Sequence, residues 1–235
     1  MASLLDDIAK YGLSQIIKNF EKGIYKRPSK LPKKPIGAPT NTITGYKLFR
    51  TDKENNLYPL FVNAKQRVPL GKWLDAEAGM MTPEGKVKSS LGPLSYRAGW
   101  HAGDHPVATH IGGKSSKNVK KPDYRPDSQV WAEVLMPNDV DWQSEALSRA
   151  LRKKSGGLNL KTAEIKDQIP YGGTYRYKTN PNMTGDWLIG GSMKVNRVLP
   201  RKEVDAINKR TGVYDLPTYE NLQKILQYLE STMSK

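Results

Sequence analysis

The sequence predicts an α+β protein: a small, twisted, mainly antiparallel sheet with flanking helices, preceded by an N-terminal helix and an extended basic arm. Three observations carry this expectation. Val130, Ala132, Val134 and Met136 alternate with Trp131, Glu133 and Leu135, the two-residue period of a strand. Past Pro137, Asp141 stands as N-cap to a helical run through Trp142, Ala146, Leu147 and Ala150 to about Lys154. Residues 46–50 and 57–62 are apolar, aromatic runs around the polar residues 52–56, which is a hairpin signal.

Taken in order, residues 3–22 read as a helix. Leu4, Leu5, Ile8, Tyr11, Leu13, Ile16, Ile17 and Phe20 recur at helical spacing, with Ser3 as N-cap. Residues 1–24 therefore form an amphipathic N-terminal unit. Residues 25–44 differ in kind. Pro28, Pro32, Pro35 and Pro39 alternate with Lys26, Arg27, Lys30, Lys33 and Lys34, and prolines at this density exclude a helix and favour an extended path. The arm suits a phosphate backbone or an acidic groove, and equally a solvated tether.

The main domain is expected over residues 45–212. After the hairpin, residues 68–76 read as a further strand and residues 79–92 as a long loop. Beyond the helix, closed by Gly156-Gly157, residues 162–168 suggest a short helical piece. Thr174-Tyr175-Arg176-Tyr177-Lys178 reads as a strand with tyrosines on one face and cations on the other. Residues 187–189 and 193–199 read as strands broken at Gly190-Gly191. Pro200 opens a helix to about Arg210. Residues 213–235 carry a last helix, with Leu222, Ile225, Leu226 and Leu229 as its apolar face.

Composition narrows the function classes. The 235 residues contain no cysteine, which excludes disulfides, thiolate metal sites and cysteine nucleophiles. No apolar run has the length of a membrane-spanning helix, so no membrane partner is expected. The acidic start Met1-Ala2-Ser3-Leu4-Leu5-Asp6-Asp7 does not read as a secretory signal. Host-cell cytoplasm or a virion is the expected location. The net charge of +15, from 38 Lys and Arg against 23 Asp and Glu, favours a polyanionic partner, either nucleic acid or an acidic protein surface.

Three segments could carry chemistry. All three histidines fall between His101 and His110. In Gly99-Trp100-His101-Ala102-Gly103-Asp104-His105, glycines allow close approach to a ligand, Trp100 can stack on a planar ring, and His101 and Asp104 can supply hydrogen bonds or a proton. A weaker alternative takes His101, Asp104, His105 and His110 as metal ligands. The plain reading is a glycine-rich turn with a core tryptophan. Gly112-Gly113-Lys114-Ser115-Ser116 has Ala108 where a phosphate-binding loop needs glycine, and reads as a basic loop with Lys114 and Lys117 toward a polyanion. Residues 174–179 interleave aromatics and cations, as single-stranded nucleic-acid binders do, but also as any strand with one buried face does.

Tyr96-Arg97-Ala98-Gly99-Trp100-His101-Ala102-Gly103-Asp104, Val130-Trp131-Ala132-Glu133-Val134, Tyr175-Arg176-Tyr177-Lys178-Thr179-Asn180-Pro181 and Met193-Lys194-Val195-Asn196-Arg197-Val198-Leu199 resemble an uncharacterised protein family of tailed phages and other mobile elements of bacteria, over about residues 45–205. A more distant resemblance, of order and pattern, is to ADP-ribosyltransferases of the poly(ADP-ribose) polymerase-like type. It implies a split sheet that binds NAD. Arg50, ending Tyr46-Lys47-Leu48-Phe49, stands for the residue that holds the cofactor ribose. Trp100 stands for the ring that stacks on nicotinamide, with Asp104 beside it. Residues 106–111 stand for a helix between two strands. The late-strand glutamate is absent, and Asp186 of Asp186-Trp187-Leu188-Ile189 is its shorter replacement, with His101 as a second catalytic candidate. The sequence thus leaves two expectations: a phage accessory protein that binds NAD or a nucleotide and modifies a host macromolecule, or a non-enzymatic basic virion or nucleic-acid-associated protein.

Overall fold

The computed structural model describes residues 37–108, 127–151, 163–179 and 185–211. The N-terminal helix, Lys26, Arg27, Lys30, Lys33, Lys34, the loop with His110, Lys114 and Lys117, and the last helix lie outside the described residues.

The described residues form one mostly antiparallel, open sheet with two helices. The strands are β1 (Thr42–Thr51), β2 (Leu57–Tyr58), β3 (Trp73–Asp75), β4 (Trp100–Gly103), β5 (Gln129–Pro137), β6 (Thr174–Tyr177), β7 (Trp187–Gly190) and β8 (Ser192–Val198). Helix α1 is Trp142–Leu151 and α2 is Arg201–Arg210. The order is β3-β8-β5-β1-β4-β7-β6, with β2 also paired to β1.

Local chemistry explains several boundaries. Asp52 closes the β1–β2 turn: its carboxylate accepts from the Glu54 and Asn56 amides and from the Tyr58 hydroxyl. Pro59 lacks the amide that would extend the ladder, so β2 stops at Tyr58, short of the predicted run to residue 62. Asp141 caps α1 by accepting from the Ser144 amide at 2.9 Å. Pro200 precedes α2 in extended geometry, which its fixed φ favours. At Gly191 a Cβ would collide with the backbone of Pro170 and Tyr171, so only glycine lets that segment cross behind β7 and β8.

Three expectations change. The strand predicted over residues 68–76 shrinks to Trp73–Asp75, with single bridges from Val68 to Leu57 and from Leu70 to Val195 beside it. Residues 163–168 are not helical, because Ile165 is tied to the Tyr175 hydroxyl and Glu164 to Arg97, partners that an extended run reaches. Residues 106–108 are not helical either, whereas Trp100–Gly103 is a strand, as the resemblance implied for Gly99-Trp100-His101 and the plain reading as a glycine-rich turn did not.

Strand register sorts the side chains. Lys47, Phe49, Trp100, Ala102, Ala132, Val134 and Leu188 share one face, covered by Leu57, Val68 and Ala76. On the other face α1 packs over β6 and β7 through Trp142, Ala146, Leu147, Tyr175, Tyr177 and Ile189. Farther along that face α2 packs over β1 and β5 through Leu48, Trp131, Val204 and Ile207. The two clusters leave an interval between them.

Candidate functional site

That interval coincides with a break in the sheet. β1 pairs with β5 over nine positions, from Thr42↔Pro137 to Arg50↔Gln129, but with β4 at Tyr46↔Gly103 alone. Beyond Tyr46 the two strands part. The Lys47 ammonium bridges them, donating to the His101 carbonyl at 2.7 Å, so a side chain supplies the hydrogen bond that the ladder no longer makes.

A cavity of about 510 Å³ lies along the break, a size that suits a small organic ligand. Its walls include Tyr46 and Lys47 of β1, His101 of β4, Tyr177 of β6, Trp187 of β7 and segments around Leu60 and Tyr96. Five of the sequence candidates reach it: Trp100, His101, Asp104, His105 and Asp186.

Arg50 does not. Its guanidinium donates to the Ala64 carbonyl at 2.8 Å and lies over the Tyr58 ring, outside the cavity lining. Trp100 is only 8% exposed and belongs to the core of the opposite face. Its indole N–H donates to the Leu74 carbonyl, and the Lys47 ammonium lies 5.5 Å from its ring centre. A ring held this way is a wall of the cavity, not a free stacking platform. Trp187 is better placed. Its N–H donates to the Thr179 hydroxyl, and its ring meets His101 edge-on at 6.1 Å between centroids.

His101 is kept neutral. Burial, then the charges of Lys47 and Arg97, lower its pKa to about 3. Its Nδ1 lies 3.1 Å from the Gly99 carbonyl oxygen. That oxygen can only accept, so the proton sits on Nδ1 and Nε2 keeps a lone pair. The ring therefore acts as a hydrogen-bond acceptor.

At one end of the cavity lies a charged cluster. The Asp104 carboxylate receives His105 Nδ1 at 2.8 Å, the Asp186 amide at 2.9 Å and Arg176 at 3.0 Å. Asp186 pairs with Arg176 at 3.4 Å and Lys178 at 3.6 Å. Burial alone would raise Asp104, but the hydrogen bond and charge of His105, the Asp186 amide and Arg176 together hold it below the usual carboxylate range. Burial and the neighbouring Asp104 charge push Asp186 up, against Lys178 and Arg176. The hydrogen bond to Asp104 raises His105. Gly185 sits against this cluster with φ of +72°, and a Cβ there would run into the Asp104 carboxylate.

Among the described residues no group of three His, Asp or Glu side chains stands ready to hold a metal ion. His101 turns to Gly99 and His105 to Asp104, while His110 lies outside the described residues.

Lys47, Arg97 and Trp187 are cavity residues that the sequence reading did not single out, and Tyr177 joins them from the aromatic strand that it did. Arg97 donates to Glu164 at 2.9 Å and lies over the Tyr177 ring, fixing that wall. Lys47 did leave a signal: it is a cation at a core-facing position of a strand, between Gly45 and Phe49. Comparison of the chain with family models, curated proteins and solved structures returns no match.

Proposed function

We propose that this chain is a phage or mobile-element accessory protein whose domain holds NAD or a related nucleotide in the cavity between β1 and β4. The observation that carries the reading is the cavity itself, which brings His101 and Asp104 of one segment together with Asp186 of another, beside Trp187 and Tyr177. Aromatic walls with a few convergent polar groups are what a planar heterocycle on a polar sugar requires. The finer architecture of the reading is an α+β domain with a split sheet, as in ADP-ribosyltransferases of the poly(ADP-ribose) polymerase-like type, and the parting of β1 from β4 supports it. Trp187 takes the stacking role in place of Trp100. His101 accepts a hydrogen bond from the ligand, and Asp186 is the carboxylate nearest the role of polarising a ribose hydroxyl. Arg50 takes no part.

The direct test is thermal unfolding with NAD, ADP-ribose or ATP. A ligand at one hundred times its Kd adds about 2.7 kcal/mol of stability. NAD is expected to raise the melting temperature of the wild type and of Arg50→Ala, and to have little effect on Trp187→Ala. Release of nicotinamide, lost in Asp186→Asn, would extend the reading from binding to transfer. If millimolar NAD, ADP-ribose and ATP all leave the wild-type transition unmoved, the reading is wrong.

A second reading rests on where the charge lies. The excess cations concentrate in residues 26–34, 114–125 and 152–161, whereas the described residues are close to charge balance. This supports a polyanion, nucleic acid or an acidic virion or host protein surface, met by those segments rather than by the cavity. DNA affinity that falls steeply with salt, and that deletion of residues 1–36 weakens while NAD does not, is the expected signature.

A further inference from the structure

We infer that the cavity is built for a ligand bearing an anionic group, phosphate or carboxylate, and that Lys47 is the residue that receives it. The inference deepens the nucleotide reading and rests on it.

Two cations, Lys47 and Arg97, line the cavity away from the Asp104 end. Arg97 is committed: it pairs with Glu164 and packs on Tyr177. Lys47 is not. Its ammonium donates to one carbonyl, that of His101, and otherwise lies over the rings of Phe49 and Trp100. Among the described residues no carboxylate pairs with it. An ammonium has three donors, and a half-buried one with a single neutral acceptor is under-satisfied. Burial lowers its pKa to about 8, with no neighbouring charge among the causes. The arrangement lacks a counter-ion, and the space beside it is open for one.

The alternative is a purely structural lysine that closes the break between β1 and β4. That role needs one neutral donor and no charge. It predicts that glutamine, which keeps a donor, would serve equally well in every respect.

The test uses a matched pair of ligands, AMP and adenosine, titrated by calorimetry into the full chain. Wild type is expected to prefer AMP, and Lys47→Gln to lose that preference by about 10- to 100-fold, the range of a charge-assisted hydrogen bond, with adenosine affinity unchanged. Lys47→Arg should keep the preference, and unfolding curves of both variants establish that they fold. A wild type that binds neither ligand, and that NAD, ADP-ribose and ATP do not stabilise, overturns the nucleotide reading as well, whereas one that NAD stabilises but that binds neither AMP nor adenosine overturns the role of Lys47 alone. A wild type that binds both, with the same preference in Lys47→Gln, overturns the role of Lys47 alone and leaves the cavity as a nucleoside site.

Discussion

Replacing Trp142 with alanine is expected to cost about 3–5 kcal/mol of unfolding free energy, the range for removal of a large buried aromatic. Trp142 is 0% exposed. Its ring is the first residue of α1 and fills the space between that helix and β6, against Tyr175, Tyr177 and Ile189. Its indole N–H donates to the Tyr171 carbonyl at 2.8 Å, so truncation also strips a backbone acceptor of its partner. The surroundings cannot collapse to fill the void, because the backbone of Val140 and Gly173 already touches at this point: a Cβ on Gly173 would run into Val140 and the Trp142 ring. Trp73→Ala is the control. Trp73 lies half-buried on the edge strand β3 with Lys194 over its ring, and it should cost less than half as much. Urea unfolding of both variants decides. Equal losses would mean that α1 is not seated through Trp142. Because the same cluster holds Tyr177 against the cavity, Trp142→Ala should also weaken any ligand that binds there.

What was legible in the sequence was local. The alternation from Val130 to Met136 gave β5, Asp141 marked the start of α1, Asp52 and Asn56 marked the β1–β2 turn, and Pro200 marked the start of α2. Each is decided by neighbours within a few residues. The sheet order is not. β1 pairs with β5, β4 with β7 and β3 with β8, across separations that no periodicity encodes. Trp100–Gly103 was a strand only by the resemblance, because its glycines otherwise read as a turn, while in the fold Gly103 and Gly99 admit the close approach of neighbouring backbone and of Ile189. The cavity was half legible. Clustering drew attention to His101 and Asp104, and a pattern drew attention to Asp186. Arg50 and Trp100 were sorted only by position and partners. Arg50 shares its face of β1 with Tyr46 and Leu48, which line the cavity, but lies farther along the strand, against Ala64 and Tyr58, and one step along β4 separates His101 from the core face.

Asp104 and Asp186 lie side by side, yet their neutralisation should move stability in opposite directions. Asp104 has a folded pKa held below its unfolded value of about 3.9. Its stabilisation is therefore present above that value and lost as pH falls through the folded pKa. Asp104→Asn removes the charge-assisted bonds to His105 and Arg176 and should cost about 1.5–3 kcal/mol near neutral pH, the deficit shrinking in acid. Asp186 is raised, so holding it ionised at neutral pH opposes folding. Asp186→Asn should stabilise by about 0.5–2 kcal/mol, the size of gain seen when a strained functional group is relieved, and that gain should fade as pH falls toward 4. His105 adds a third slope. Its folded pKa is raised by Asp104, so its contribution is complete below about 6.5 and disappears as pH rises through the folded value. Wild type should lose stability as pH rises above about 6.5 for this reason, and Asp104→Asn should not. Urea unfolding of the three proteins at pH 4, 6 and 8 reads all three slopes. If Asp186→Asn is destabilising at pH 7, its pairs with Arg176 and Lys178 outweigh its burial, and Asp186 is a structural ion rather than a strained carboxylate kept for chemistry. A stabilised Asp186→Asn that also loses nucleotide-dependent activity would be the trade of stability for function that a working site makes.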